Sequence, residues 1–385
     1  MNIPVRTSLL LVMILSCACN KVNYNKLDTA VENELVLFPQ TEIQGELESL
    51  VESNQVVILG ETQYVEEHHQ YISLLLDRFG TEGLCFINEF SNAYNWMVED
   101  YIRGDIQHLP YTIRLLNHTW LEKIRDINLS TEGESPINFY LMDINQWKED
   151  FKISIEESEK IVGEQSIFAL IKILDVDHNA YLYELEDLKE MLEQETAFYL
   201  ELWGEKWYNR YLELIGFELE SCRYRMSPDE NKREFFMFDF IQSALKRNPE
   251  CKTIINCGMY HAQKETMMGT DIQRLRALLE EKDPQGLASI AFSGIKGKRK
   301  YKFNSDQVIS FNIVENTTDK NLMHIIGQKA GDQMSMLMLE NEIFKLEMDI
   351  TYTAGVIRVA PGRQFDAIIT YPEISILKSL TDFSY

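Results

Sequence analysis

The sequence predicts an α/β fold: a mostly parallel sheet flanked by helices, with a helical insertion capping the carboxyl ends of the strands. Three observations carry that prediction. Short apolar runs recur as continuous rather than alternating stretches, which suits strands buried on both faces of a parallel sheet. Segments with helical periodicity lie between them. The stretch 150–250 is dense in Glu, Leu, Lys and Tyr and carries no strand signal.

At the N-terminus, Arg6 gives a short basic start, Leu9–Leu15 is an unbroken apolar run, and Ser16-Cys17-Ala18-Cys19 follows. This is the layout of a secretory signal, and its apolar core is too short for a permanent membrane anchor. A cysteine ending such a run resembles the bacterial lipobox, here Ile14-Leu15-Ser16-Cys17. Lipidation is expected at Cys17, with Cys19 as the competing site and an ordinary cleaved signal as the alternative. Residues 1–19 thus read as signal peptide and lipobox. Residues 20–35, polar and rich in Asn and Lys, read as a tether. Residues 36–385 read as one α/β domain that includes the insertion 150–250. The expected location is the cell envelope, lipid-anchored on the periplasmic or outer-membrane face.

The expected strands are Val56–Leu59, Leu84–Asn88, Asn138–Met142, Thr253–Cys257, Ala288–Phe292, Val308–Ile313 and Phe365–Thr370. Between the first two, Tyr71, Leu74, Leu75 and Arg78 recur at helical spacing, and Gly80 and Gly83 end the pattern. That predicts a helix over Glu66–Phe79 and a βαβ unit. In the insertion, Tyr183–Trp203 and Lys232–Arg247 read as amphipathic helices whose charge runs are solvated faces.

Composition is that of a globular protein, 45% apolar and 25% charged. A net charge of −24 would repel nucleic acid and an anionic membrane surface, so neither is expected as a partner. A small-molecule substrate or ligand is expected instead. Cys85, Cys222, Cys251 and Cys257 show no CxxC spacing; a disulfide or buried free thiols both fit.

Polar groups stand at the ends of the expected strands. The first runs into Gly60-Glu61, the second ends at Glu89, the third at Asp143, and the fourth leads to Gly258-Met259-Tyr260-His261. Ligands of open α/β sheets bind outside the carboxyl ends of the strands. Two carboxylates and an imidazole meeting there can activate water or share a proton, because crowding drives their pKa values apart. They could also hold a divalent metal. Each residue has a plainer reading. Glu61 could cap the next helix, Asp143 could be a turn residue, and His261 could be structural. A helix starting near Tyr64 would place Glu61, Tyr64 and His68 on one face. No GxSxG elbow, Walker loop, dinucleotide fingerprint or HExxH occurs.

The segment Val57–Gly60-Glu61, the helix after it, Gly83–Glu89 and Tyr101-Ile102-Arg103-Gly104 resemble the opening of the erythromycin esterase family. So do Trp120–Asn128 with Phe139–Asp143, Arg233 to Met237 with Lys252–His261, Met268-Gly269 with Ala288–Gly294, and Phe365-Asp366-Ala367 through Pro372-Glu373. The resemblance is collinear over most of residues 50–380. It implies hydrolysis by activated water, served in the family by Gly-Glu-x-x-His, a second Glu and a later His-Asn-x-His. By position it carries Glu61, Glu89 and His261. Tyr64 stands at the first expected histidine and Gly258 at the second. Tyr64 cannot be a neutral-pH base, since a phenol near pKa 10 stays protonated, but it can donate to an oxyanion. The implied catalytic set is Glu61, Glu89, His261, Tyr64 and His68, the last standing in for the missing imidazole. Asp143 and Arg233 are the implied substrate-binding pair. The leading expectation is an altered ester hydrolase without cofactor. A non-catalytic binding module is the alternative, and third is a divalent-metal enzyme using Glu61, Glu89 and His261.

Overall fold

A computed structural model gives the fold and describes residues 22–130, 137–163, 167, 178–266, 271–282, 286–300, 307–316, 321–352 and 355–381. Its strands are β1 (Leu35–Phe38), β2 (Val56–Glu61), β3 (Leu84–Ser91), β4 (Ile137–Asp143), β5 (Lys252–Gly258), β6 (Leu287–Lys300), β7 (Val308–Asn312), β8 (Met334–Met338), β9 (Met348–Tyr352), β10 (Gly355–Val359) and β11 (Ala367–Ile374). Among the described residues the main sheet has the order β1-β8-β11-β6-β2-β5-β3-β4, with β7 on β6 and a separate β9–β10 hairpin. From β11 across to β4 all neighbours are parallel. The antiparallel members are β1, β7 and β8. The fold is therefore the expected mostly parallel α/β sheet.

The continuous apolar runs are explained by two covered faces. Along β2, Val57 and Leu59 enter one core cluster, and Val56 and Ile58 enter the other. Alternate residues of a strand point to opposite faces, so both sets must be apolar. The first face is covered by Glu66–Phe79, which buries Tyr71, Ile72, Leu75 and Leu76, and by Asn95–Ile102 and Tyr111–Ser130. The second is covered by Tyr24–Glu34, Glu230–Arg247, Leu275–Lys282 and Leu322–Ala330.

All seven expected strands form. β6 runs on to Lys300, Ile313 instead opens a short helix, and the last strand starts at Ala367. Beyond Phe292, β6 carries Gly297 at φ 134, where a Cβ would stand 2.0 Å from the Ile374 carbonyl oxygen. Only glycine fits that crossing. β1, β8, β9 and β10 were not expected.

Two expectations about helices need correction. In the segment read as a tether, Tyr24–Glu34 is a helix capped by the Asn23 side chain. Leu27 and Val31 are fully buried in the second core. Truncating one buried leucine costs roughly 2–5 kcal/mol, so this helix belongs to the domain. The polar composition concealed Leu27, Ala30 and Val31 at helical spacing. In the insertion, Lys148–Val162, His178–Gln194 and Thr196–Met226 pack around the end of the sheet near β3 and β4. Glu230–Arg247, by contrast, lies flat on β4 and buries Met237, Phe240, Ile241 and Ala244 in the second core.

Cys85, Cys222 and Cys257 are buried thiols and Cys251 is a partly exposed one, and none of the four is in a disulfide. Among the described residues no helix is long and apolar enough to cross a membrane. Cys17 and Cys19 lie outside the described residues.

Candidate active site

Parallel order puts the ends of β2, β5, β3 and β4 on one edge of the sheet. They deliver Glu61, Gly258, Glu89 and Asp143 to one cleft, and the loop after β5 adds His261. That loop packs closely on β2. Met259 N–H donates to the Glu61 carbonyl (3.1 Å), and a Cβ on Gly60 would stand 2.8 Å from Ala262 Cβ. Glycine before Glu61 is thus what lets the histidine loop approach.

The most connected group is Arg233, whose side chain is only 12% exposed. Its Nε donates to Asp143 Oδ1 (2.9 Å) and its Nη2 to Asp143 Oδ2 and Glu89 Oε1 (both 2.7 Å). Gly258 N–H donates to Glu89 Oε2 (2.6 Å). His261 is held between two acids: Nδ1 lies 2.8 Å from Glu234 Oε1 and Nε2 lies 3.4 Å from Glu89 Oε1. Glu234 also accepts from Arg274 Nη1 and Leu275 N–H, each at 2.8 Å. Glu234 escaped the sequence reading although it adjoins Arg233 in the helix.

These contacts fix the charges. Burial alone would raise Glu89, but His261, Arg233 and the Gly258 N–H outweigh it and hold the carboxyl far below the usual range. Burial likewise opposes the charged imidazole of His261, yet Glu89 and Glu234 push it up to about 10. His261 is therefore an imidazolium at neutral pH and cannot serve as a base there. Glu61 behaves oppositely: burial, then the Glu89 charge, raise it to about 8, with a contact to Asn256 working against them. Its Oε2 is buried without a hydrogen-bond partner, 3.5 Å from His68 Nε2.

His68 is fully buried behind Glu61 rather than lining the cleft. Asn256 Nδ2 donates to Asn88 Oδ1 (2.9 Å), so Asn256 Oδ1 accepts from His68 Nε2 (2.8 Å). His68 Nδ1 is then left to accept from the Tyr371 hydroxyl (3.1 Å). Burial lowers His68 to about 4, so the ring is neutral with both nitrogens occupied. Such a ring holds Asn256 and packs beside Glu61 without a hydrogen bond to its buried oxygen. Asn88 and Asn256 are directly paired across β3 and β5. Polar residues inside two otherwise apolar strands were the overlooked signal for them.

Tyr64 departs from the expected helix face. The helix starts at Glu66, and Tyr64 precedes it at φ 66, a left-handed conformation. Leu377 N–H donates to the Tyr64 carbonyl (2.9 Å), and Val65 bridges to Ile376. Burial and the nearby Glu89 and Glu61 raise the phenol above its ordinary pKa, so the hydroxyl keeps its proton. The cleft has two lobes that share Glu61, Gln63, Tyr64, Glu89 and Gln146.

Glu89 and His261, two of the expected metal donors, are spent on Arg233, Gly258 N–H and Glu234. That donor set does not suit a divalent cation, and among the described residues no group of three or more His, Cys, Asp or Glu is arranged to hold one.

No family sequence model matches the chain, and no curated protein matches it in sequence. Solved structures match it in fold. A Bacillus cereus protein superposes with TM-score 0.67 at 16% identity, over 92% of this chain and 98% of its own. A succinoglycan biosynthesis protein gives 0.66 at 15% identity, over 92% and 98%. A mutant of the erythromycin esterase EreC, in its open conformation, gives 0.59 at 16% identity, over 88% and 96%. At these identities the likeness shows a shared fold, an erythromycin-esterase-like one.

Proposed function

We propose, from the erythromycin-esterase-like fold and the cleft built on it, that the chain is a hydrolase of an ester or related small molecule in which Glu61 activates water. One observation carries the reading. Glu61 ends a central strand at the junction of both lobes, with a buried oxygen lacking a hydrogen bond and a pKa of about 8. A carboxylate poised near neutral pH is an efficient general base. Ionised Glu61 takes a proton from water as the water oxygen bonds to the ester carbonyl carbon. The carbonyl oxygen becomes an oxyanion, for which the Tyr64 hydroxyl and His261 Nε2–H are the proposed donors. Collapse breaks the bond to the alcohol oxygen, which recovers the proton from Glu61. Glu89 holds His261 charged, and Arg233 with Gly258 N–H holds Glu89.

The pH dependence follows. Glu61 must be ionised and His261 protonated, so kcat/KM is expected to rise with pH up to about 8 and to fall above about 10. A profile flat from about pH 6 to about pH 9 in initial-rate measurements counts against Glu61 as the base.

A binding module is the second reading. It is favoured by His68, the imidazole nearest Glu61, being neutral with both nitrogens occupied, so that it cannot replace the absent histidines. Ligand binding without turnover across ester libraries would select it. The proposed setting is the cell envelope, with the chain lipidated at Cys17. This rests on the apolar run Leu9–Leu15 and the lipobox-like Ile14–Cys17. Cys17→Ser is expected to move the protein from the membrane to the soluble fraction, and unchanged partition would shift the assignment to Cys19 or remove it.

A further inference from the structure

The two lobes are unlike in size and lining. The narrow one, about 80 Å³, is lined by the rings of Phe90, Trp120 and Trp147 and by Ile144, together with the carboxylates of Asp143 and Asp150. The wide one, about 470 Å³, adds Gln263 and Tyr260 to Gln63 and Gln146, which both lobes share. Amide side chains both donate and accept, which matches hydroxyl groups. Gln263 is 2% exposed, lines the wide lobe, and keeps its Oε1 without a hydrogen-bond partner. A buried acceptor left unpaired is costly and marks a place where a donor belongs. Tyr260 is 53% exposed, and the Arg274 guanidinium lies 5.8 Å from the centre of its ring. An exposed aromatic ring beside several amides suits a hydroxylated ring, whose apolar face stacks while its hydroxyls bond at the edge. Of the cations that line that lobe, Arg233 and His261 are already matched by carboxylates, and Arg299 is the third.

We infer that the wide lobe takes a hydroxylated, sugar-like ring and the narrow lobe a compact flat apolar group. The favoured substrate class is then an ester joining a small apolar acyl group to a polyol or sugar. Placing the ester bond between the halves rests on the reading of Glu61; the preferences of the lobes do not.

The test uses the folded protein with two probes, benzyl alcohol and methyl glucoside, titrated by ligand-observed NMR. Trp147 and Tyr260 are both substantially exposed, so Trp147→Ala and Tyr260→Ala should fold. Trp147→Ala is expected to weaken benzyl alcohol about tenfold and leave methyl glucoside unchanged. Tyr260→Ala and Gln263→Leu are expected to do the reverse. Trp147→Ala and Tyr260→Ala shifting both probes alike, or neither probe binding, overturns the assignment. Glu61→Gln should retain both probes. If the probes separate as expected while no ester is turned over, the lobes stand and the hydrolase reading falls.

Discussion

Arg233→Met is expected to destabilise the domain by about 3–5 kcal/mol in denaturant unfolding, because it leaves buried carboxylates without their cation. The ion pairs of Arg233 with Glu89 and Asp143 are nearly closed to solvent, at 12%, 7% and 4% side-chain exposure. Surface pairs of the same geometry are worth a fraction of that. Two further results follow if the charge, rather than lost packing, is responsible. The folded-state pKa of Glu89 is depressed, so its contribution is present above its ordinary range and lost as pH falls. Without Arg233 that contribution shrinks, and the deficit should narrow as the medium is made acidic. Adding Glu89→Gln to Arg233→Met should recover part of the loss in a double-mutant cycle. A single-mutant cost below about 1 kcal/mol would mean that water or rearrangement already serves the carboxylates.

The sheet was legible because its strands obey a simple rule: two covered faces demand continuous apolar runs, and Val56–Leu59 or Thr253–Cys257 display them plainly. β8 was missed although Met334–Met338 is largely buried, since MSMLM lacks β-branched residues. β1 was missed because Leu35–Phe38 is only four residues long, a weak signal beside the longer apolar runs. The convergence of Glu61, Glu89, Asp143 and His261 was legible too, because strand polarity forces it once the strands are parallel.

Charge state was not legible. The letters Glu61 and Glu89 are the same, and their environments drive them apart, one towards about 8 and the other far down. That difference comes from Arg233, Gly258 N–H and His261 all turning towards Glu89, and no spacing rule announces it. His68 shows the same gap. It was expected to reach the cleft from a helix face shared with Glu61, but Glu61 ends β2, the helix starts at Glu66, and the ring is sealed between Asn256 and Tyr371, residues 188 and 303 positions away. The left-handed Tyr64 was equally hidden, because it is pinned by Leu377 at the far end of the chain.

Glu61→Gln carries the largest expected effect on turnover, a fall in kcat of at least about 100-fold, the usual worth of a positioned general base. Glutamine keeps the size of the side chain and its place beside His68, so the cleft should persist. Loss of rate alone would not separate catalysis from positioning, but stability supplies the second reading. The folded-state pKa of Glu61 lies above its ordinary value. Its protonated form is therefore favoured in the fold, and the benefit is full below about 4.5 and gone once pH passes about 8. Wild-type stability should decline across that window relative to Glu61→Gln, whose amide does not titrate. A lost rate together with a lost pH slope places the proton on Glu61 in both folding and catalysis. A lost slope with unchanged turnover would leave Glu61 a buried acid and move the base elsewhere. Of the other carboxylates in the cleft, Asp150 is best placed for that role, buried and raised to about 6 in the narrow lobe.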